Sequence, residues 1–278
     1  MNISVKKMMD LSGKIVIITG GAGLLGIKHA EAVAEFCGIP ILLDINDGAI
    51  ANAVSQLKNQ FNRNCTGYNC DITDRDALEN CKDKILKDFG RIDVLINNAA
   101  LDPKVKNSVH NESLGRLENF DLKQWDLELK VGLTGAFLCT QVFGLEMVKQ
   151  QQGVIINVSS DLGIIAPDQR LYERPGMSKS NQPVKPVTYS VIKHGLIGLT
   201  KYIATYWAMD GIRANTLCPA GIYNNHPTEF VEKISKLIPL QRMANINEYK
   251  AAIVFLSSEA SSYMNGQTLI IDGGRSIM

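Results

Sequence analysis

The chain has 278 residues, with 29 Lys and Arg against 28 Asp and Glu and a net charge of +1 at pH 7. That balance leaves no basic footprint for a polyanion, so nucleic acid is excluded as an expected partner. Apolar residues at 45% and charged residues at 21% suit a globular protein with a substantial core. No unbroken apolar run approaches the roughly 20 residues that cross a bilayer, and the N-terminal MNISVKKMMD has no apolar region behind its lysines. Neither a membrane partner nor a signal peptide is expected. Cys37, Cys65, Cys70, Cys81, Cys139 and Cys218 are scattered without a CxxC pair, and the four histidines lack HxxxH spacing. Reduced, buried thiols in a cytoplasmic protein without a metal site are the expectation.

In chain order, KIVIIT (14–19) predicts a buried strand, and a helix follows from about Leu24 with apolar Leu25, Val33 and Phe36. PILLD (40–44) predicts a second strand. Helices are expected over 48–61 and 74–88, on either side of a short strand near 67–69. VLIN (94–97) is the next strand, followed by a polar stretch over about 102–121. A helix over about 122–150 leads to the strand VIINVS (154–159), and a helix carrying Tyr189 and Lys193 runs to about Met209. IRANTL (212–217) and TLIID (268–272) are late strands, with a helix at about 247–257 between them. Strand and helix alternate throughout, and IVIIT and VIINV are apolar at every position bar one. That pattern calls for a parallel sheet covered on both faces. With no internal repeat and no low-complexity linker, one α/β doubly wound domain over 1–278 accounts for the chain.

TGGAGLLG (19–26) follows a strand and opens a helix. Gly20 suits the tight turn, Gly23 a close backbone approach to a pyrophosphate, and Gly26 close packing of helix on strand. The helix N-terminus offers unpaired amides and partial positive charge to phosphates. Asp44 ends the second strand, where an acidic residue binds adenosine ribose hydroxyls and repels a 2′-phosphate. Ile45 and Asn46 supply no cation to attract one, so NAD is expected over NADP. Asp71, after the next strand, either hydrogen-bonds adenine or neighbours a helix N-cap.

Tyr189 and Lys193 stand four apart and share one helix face. A free phenol has a pKa of about 10, and a neighbouring ammonium with the positive nicotinamide ring favours its phenolate. The same phenol donates a proton in the reducing direction. Ser160, at the end of the VIINVS strand, is placed to hydrogen-bond a substrate oxygen. Together the three residues make a proton-transfer device, and beside a dinucleotide cradle it points to an oxidoreductase that moves a hydride to or from a carbonyl carbon.

TGGAGLLG, CDIT (70–73), NNAA (97–100), NVSS (157–160), YSVIK (189–193), RANTLCP (213–219) and IDGG (271–274) stand in this order along the chain. In that set the chain resembles the compact branch of the short-chain dehydrogenase/reductase family over nearly its whole length. On its loop before Tyr189 and the flanks of that loop, the whole chain also looks like oxidoreductases found with bacterial flagellin and sialic-acid-like sugar modification. The resemblance implies a single Rossmann domain with a parallel sheet of about seven strands. It implies Ser160, Tyr189 and Lys193 as the catalytic set. Nucleotide contacts are implied at Gly20, Gly23, Leu25, Gly26, Asp44, Asp71, Ile72, Asn98, Tyr189 and Lys193, with Asn97 structural. A small-molecule substrate and a homodimer or homotetramer are implied as well, with the Tyr189 helix and the last strand at the interfaces.

Four departures stand out. Leu24 takes the place of the compact branch's middle glycine, and TGxxGxxG is the spacing of the extended branch, with its epimerases and dehydratases. Gly132 in KVGLTGAF stands where a catalytic asparagine holds a relay water. Pro219-Ala220 replaces Pro-Gly. Ser160 and Tyr189 are 29 positions apart, where the family more often has about 13, so roughly 16 extra residues sit beside the substrate. Within this insertion, at about 161–187, the stretch 168–187 carries Arg170, Arg174, Lys179 and Lys185 against Asp168 and Glu173, a local balance of +2. It is either a lid over a polar, anionic substrate or a solvated loop or subunit contact. Tyr172 and Tyr223 either floor a sugar ring or pack in a core. An NAD-dependent dehydrogenase of a sugar-related secondary alcohol is the leading expectation. An epimerase or dehydratase with retained NAD, and an NAD-binding sensor or scaffold, are the alternatives.

Overall fold

The computed structural model describes residues 4–101 and 115–278; the first part of the expected polar stretch, over 102–114, lies outside them. Among the described residues the strands β1 (Ile15–Thr19), β2 (Ile39–Asp44), β3 (Thr66–Asn69), β4 (Val94–Asn97), β5 (Gly153–Val158), β6 (Ile212–Pro219) and β7 (Thr268–Ile271) form one sheet. Their order is β3-β2-β1-β4-β5-β6-β7, and every neighbouring pair is parallel. Successive side chains of a strand leave opposite faces. Val16 and Ile18 accordingly enter one core cluster, whereas Ile15 and Ile17 enter the other. Both faces are covered, which is why β1 carries no polar alternation. Each fully enclosed Ile or Leu contributes about 1.5–3 kcal/mol of burial to this arrangement.

The helices fall close to their expected places, and their caps say why. The helix α1 (Val5–Met8) is a single turn, and α2 (Leu24–Glu35) opens on the glycine-rich segment. The Asn46 side chain accepts from the Ala49 amide to start α3 (Asp47–Phe61). Asp74 accepts from the Asp76 and Ala77 amides to start α4 (Arg75–Phe89), and Gly90 ends it at φ 74°.

The helix expected over 122–150 is continuous but not uniform. The segments α5 (Leu122–Leu129) and α6 (Gly135–Gln150) are joined by a π-helical turn, Lys130–Thr134. By length and composition this stretch is long and apolar enough to cross a membrane, although Lys130 and Glu146 interrupt any unbroken apolar run. Half of its most apolar window is buried inside the protein, where Phe143 and Met147 are fully enclosed.

The Tyr189 helix, α7 (Val187–Tyr206), stops short of Met209, which falls in a separate turn at Ala208–Asp210. An unanticipated helix, α8 (Thr228–Ser235), precedes α9 (Lys250–Ser257).

Candidate active site

The strand order reverses at β1, which neighbours both β2 and β4. In such sheets the crevice beyond the strand ends at this point is the binding position. Gly20 leaves β1 at φ 59°, and a Cβ there would lie 2.9 Å from Ala99 Cα. A Cβ on Gly26 would lie 2.1 Å from the Gly20 carbonyl oxygen, so only glycine lets α2 start against the turn. Gly23 is the N-cap of α2, and Leu25 in its first turn packs on the core.

Asp44 ties this turn to the end of β2. Its Oδ2 accepts from the Ala22 amide at 3.2 Å, and its Oδ1 from the Ile45 and Asn46 amides at 2.9 and 3.3 Å. Asn98, just past β4, donates through Nδ2 to the carbonyls of Thr19 and Gly20 at 3.0 and 3.2 Å. The two ends of the chain's next crossover also meet here, since the Cys70 amide donates to the Asp44 carbonyl at 2.9 Å. Asp71 then turns the backbone by accepting from the Thr73 amide at 2.8 Å, while Ile72 is buried in the core. The structure therefore gathers Gly20, Gly23, Leu25, Gly26, Asp44 and Asn98 around the end of β1, with Asp71 and Ile72 following β3.

Asn97 has a different setting. Its Nδ2 donates to Asn157 Oδ1 at 2.8 Å, and Asn157 Nδ2 donates to Thr200 Oγ1 at 2.8 Å. Thr216 donates to the same Thr200 oxygen at 2.8 Å. This buried polar chain ties β4, β5, β6 and α7 together, the structural role expected of Asn97.

At the end of β5 the strand is locked onto α7 from both directions. Ser159 Oγ donates to the Lys193 carbonyl at 2.7 Å, and Lys193 Nζ donates to the Val158 carbonyl at 2.9 Å. Ser160, only 5% exposed, donates its hydroxyl to Asp161 Oδ1 at 2.8 Å and accepts from the Leu162 amide at 3.2 Å. Asp161 Oδ2 in turn meets Arg275 Nη1 at 2.7 Å.

Tyr189 lies one helical turn before Lys193, whose Nζ is 5.7 Å from the phenol ring centroid. A second ammonium, Lys185 Nζ, stands 3.9 Å over the same ring. The Gln169 side chain holds Lys185 by both backbone groups, accepting from its amide at 2.9 Å and donating to its carbonyl at 3.3 Å. Lys185 was readable only as a loop cation; its spacing of four before Tyr189 mirrors that of Lys193 after it. Asp161 and Arg275 carried no signal, being far apart in sequence.

The glycine in place of the relay asparagine has a steric explanation. Gly132 is buried in the π-helical turn, and a Cβ there would lie 2.8 Å from Ile192 Cγ2 and 3.1 Å from its Cδ1. Ile192 on α7 fills the space that a side chain at 132 needs. Nearby, Thr188 donates to the buried carboxylate of Glu128, which also accepts from Gln124 Nε2 at 2.6 Å.

The segment over 161–187 is built of short turns, of which Gln169–Tyr172 docks on α8. Leu171 joins a small core with Ile234, Ile238 and Met243, and Tyr172 packs against Phe230 at 5.8 Å between centroids. Lys233 Nζ donates to the Glu173 carbonyl at 2.9 Å, and Arg170 pairs with Asp168 at 2.7 Å. Tyr172 thus takes its packing alternative, whereas Tyr223 remains 53% exposed.

Comparison with known proteins places this geometry among relatives. The family model described as enoyl-(acyl carrier protein) reductase matches residues 20–276. The chain is 31% identical to a D-threitol dehydrogenase from Mycolicibacterium smegmatis, over 99% of this chain and 97% of that one. It is 30% identical to post-translational flagellin modification protein A from Campylobacter coli, over 95% and 98%. A gluconate 5-dehydrogenase from Burkholderia cenocepacia, solved with NADP and tartrate, shares the fold with a TM-score of 0.85 at 24% identity, covering 99% of this chain and 100% of that one.

Proposed function

The chain belongs to the short-chain dehydrogenase/reductase family, and from that premise we propose that it is an NAD-dependent dehydrogenase of a polyhydroxylated, sugar-derived secondary alcohol. One observation carries the reading: the end of β5, with Ser160, is locked to α7 at Lys193, one turn from Tyr189. The fixed geometry suits a reaction in which small displacements of the reacting groups are costly.

The glycine-rich turn and Asp44 fit a dinucleotide, since the turn admits no Cβ at Gly20 or Gly26 and its carboxylate faces the end of β1. When bound, that cofactor supplies the hydride acceptor or donor. Tyr189 takes the alcohol proton, and the ammonium charges of Lys193 and Lys185 favour its phenolate. Ser160 holds the substrate oxygen. Lys193 additionally steadies the nucleotide ribose, and Asn98 and Asp71 border the nucleotide.

Asp44 supports NAD here although the solved neighbour carries NADP. A carboxylate at that position opposes a 2′-phosphate, and no cation follows it at Ile45 or Asn46. Titration with each nucleotide checks this: NAD is expected to bind at least about tenfold more tightly, and Asp44→Ser to narrow the gap. Equal binding of both by the unaltered protein contradicts the assignment. With NAD present, D-threitol and D-gluconate are the first substrates to try. Saturable NADH formation on one of them is the expected result, and none on either counts against the sugar-derived substrate.

A further inference from the structure

The turn that carries Ser160 also holds a charge pair with no part in the chemistry above. Ser160 donates to Asp161 Oδ1, and Asp161 Oδ2 binds Arg275 Nη1 at 2.7 Å. Both charged side chains are almost fully enclosed, at 3% and 6% exposure. Burial strips each ion of its hydration, and apolar residues of similar volume often serve stability as well. Stability alone is therefore a poor reason for this pair.

Its construction is directed from both sides. The Asp161 carboxylate is pinned beside Ser160 because Oδ1 also accepts from the Leu162 amide at 2.9 Å. Its carbonyl accepts from the Ile164 and Ile165 amides, at 2.9 Å each. On the other side, Asp272 accepts from the Gly274 and Ser276 amides at 2.8 and 2.7 Å. Gly273 and Gly274, at φ 68° and 92°, turn the chain after β7 so that the Arg275 guanidinium points back into the protein. The terminal IDGG segment thus has a physical consequence: it delivers a cation to the carboxylate behind Ser160.

We propose that Asp161 is a positioning residue for the reaction. With the substrate absent it takes the Ser160 hydroxyl hydrogen bond and so fixes Oγ at one place beside α7; when substrate binds, that single proton swings to the substrate oxygen. Arg275 neutralises that carboxylate, so no net negative charge stands behind the substrate oxygen as it gains alkoxide character. The inference rests on the dehydrogenase reading and names a residue that reading does not require.

The test is a double-mutant cycle on kcat and KM with NAD and whichever polyol or sugar acid the unaltered enzyme turns over. NAD affinity and thermal midpoint are measured on every variant. Asp161→Ala is expected to lower kcat about tenfold or more, with NAD affinity retained. Asp161→Asn, which keeps an acceptor oxygen, should recover part of that loss. The decisive variant is Ser160→Ala/Asp161→Ala, which should be no slower than Ser160→Ala alone, because Asp161 acts through the serine. Losses that multiply in the double variant, or a kcat that falls only in step with NAD affinity and folding, overturn the proposal. So does wild-type kcat in Asp161→Ala. Where Asp161→Ala does not fold, Asp161→Asn in the two backgrounds carries the same comparison. An unaltered enzyme that binds NAD yet oxidises no polyol or sugar acid would instead contradict the dehydrogenase reading, and this inference falls with it.

Discussion

Lys193 ties the fold together, since its Nζ and its carbonyl both bind the end of β5. Its spacing from Tyr189 was legible because i and i+4 share a helix face, and Ser160 was legible as the end of an apolar strand. Asp161 and Arg275 were not, because only the closed fold brings residues 114 positions apart into contact. His29 was equally silent. It lies on α2 with its ring fully buried, and burial pushes its pKa down to about 4, with a weaker opposing contribution from Asn98. In the unfolded chain the same imidazole titrates near 6.5. Between those values the unfolded state binds more protons, so this contribution is present above about pH 6.5 and is lost as pH falls toward 4. Denaturant unfolding at pH 7 and pH 5 should differ by about 2 kcal/mol on this account. His29→Leu should remove most of that difference. An unchanged pH dependence in His29→Leu contradicts the assignment.

At the scale of elements, the parallel strands were readable because both faces of the sheet are covered, leaving apolar runs without alternation. The starts of α3 and α4, which the structure shows capped by Asn46 and Asp74, lie within a residue of the expected ones. The π-helical turn at Lys130–Thr134 was not readable, for it barely disturbs the apolar period of the surrounding helix. Gly132 lies in this turn, where a Cβ would press against Ile192. Replacing Gly132 with the family's asparagine therefore restores no relay by itself and should destabilise the fold by about 1–3 kcal/mol through overpacking. Adding Ile192→Ala should recover a substantial share of that loss. Chemical denaturation of the single and double variants measures it, and a Gly132→Asn protein as stable as the parent would refute the steric explanation. The helix α8 also escaped the sequence reading. It is short, and much of its apolar face is satisfied by Leu171 and Tyr172 from the segment before α7, a partner that periodicity cannot reveal.

For the molecule as a whole, strand order turns scattered motifs into one place. The glycine turn after β1, Asp44 at the end of β2, Asn98 after β4 and Ser160 after β5 all leave the same edge of the parallel sheet. That convergence was legible from strand and helix alternation joined to motif order. The docking of the Gln169–Tyr172 turn on α8 was not, because it depends on tertiary contacts between two stretches that each look like surface loop. The central claim is that Tyr189 moves the proton that accompanies hydride transfer. Its most direct test is NADH formation by Tyr189→Phe beside the unaltered enzyme, with NAD affinity measured on both. The account predicts a fall in kcat of about a hundredfold or more with NAD affinity retained; full turnover by Tyr189→Phe would contradict it.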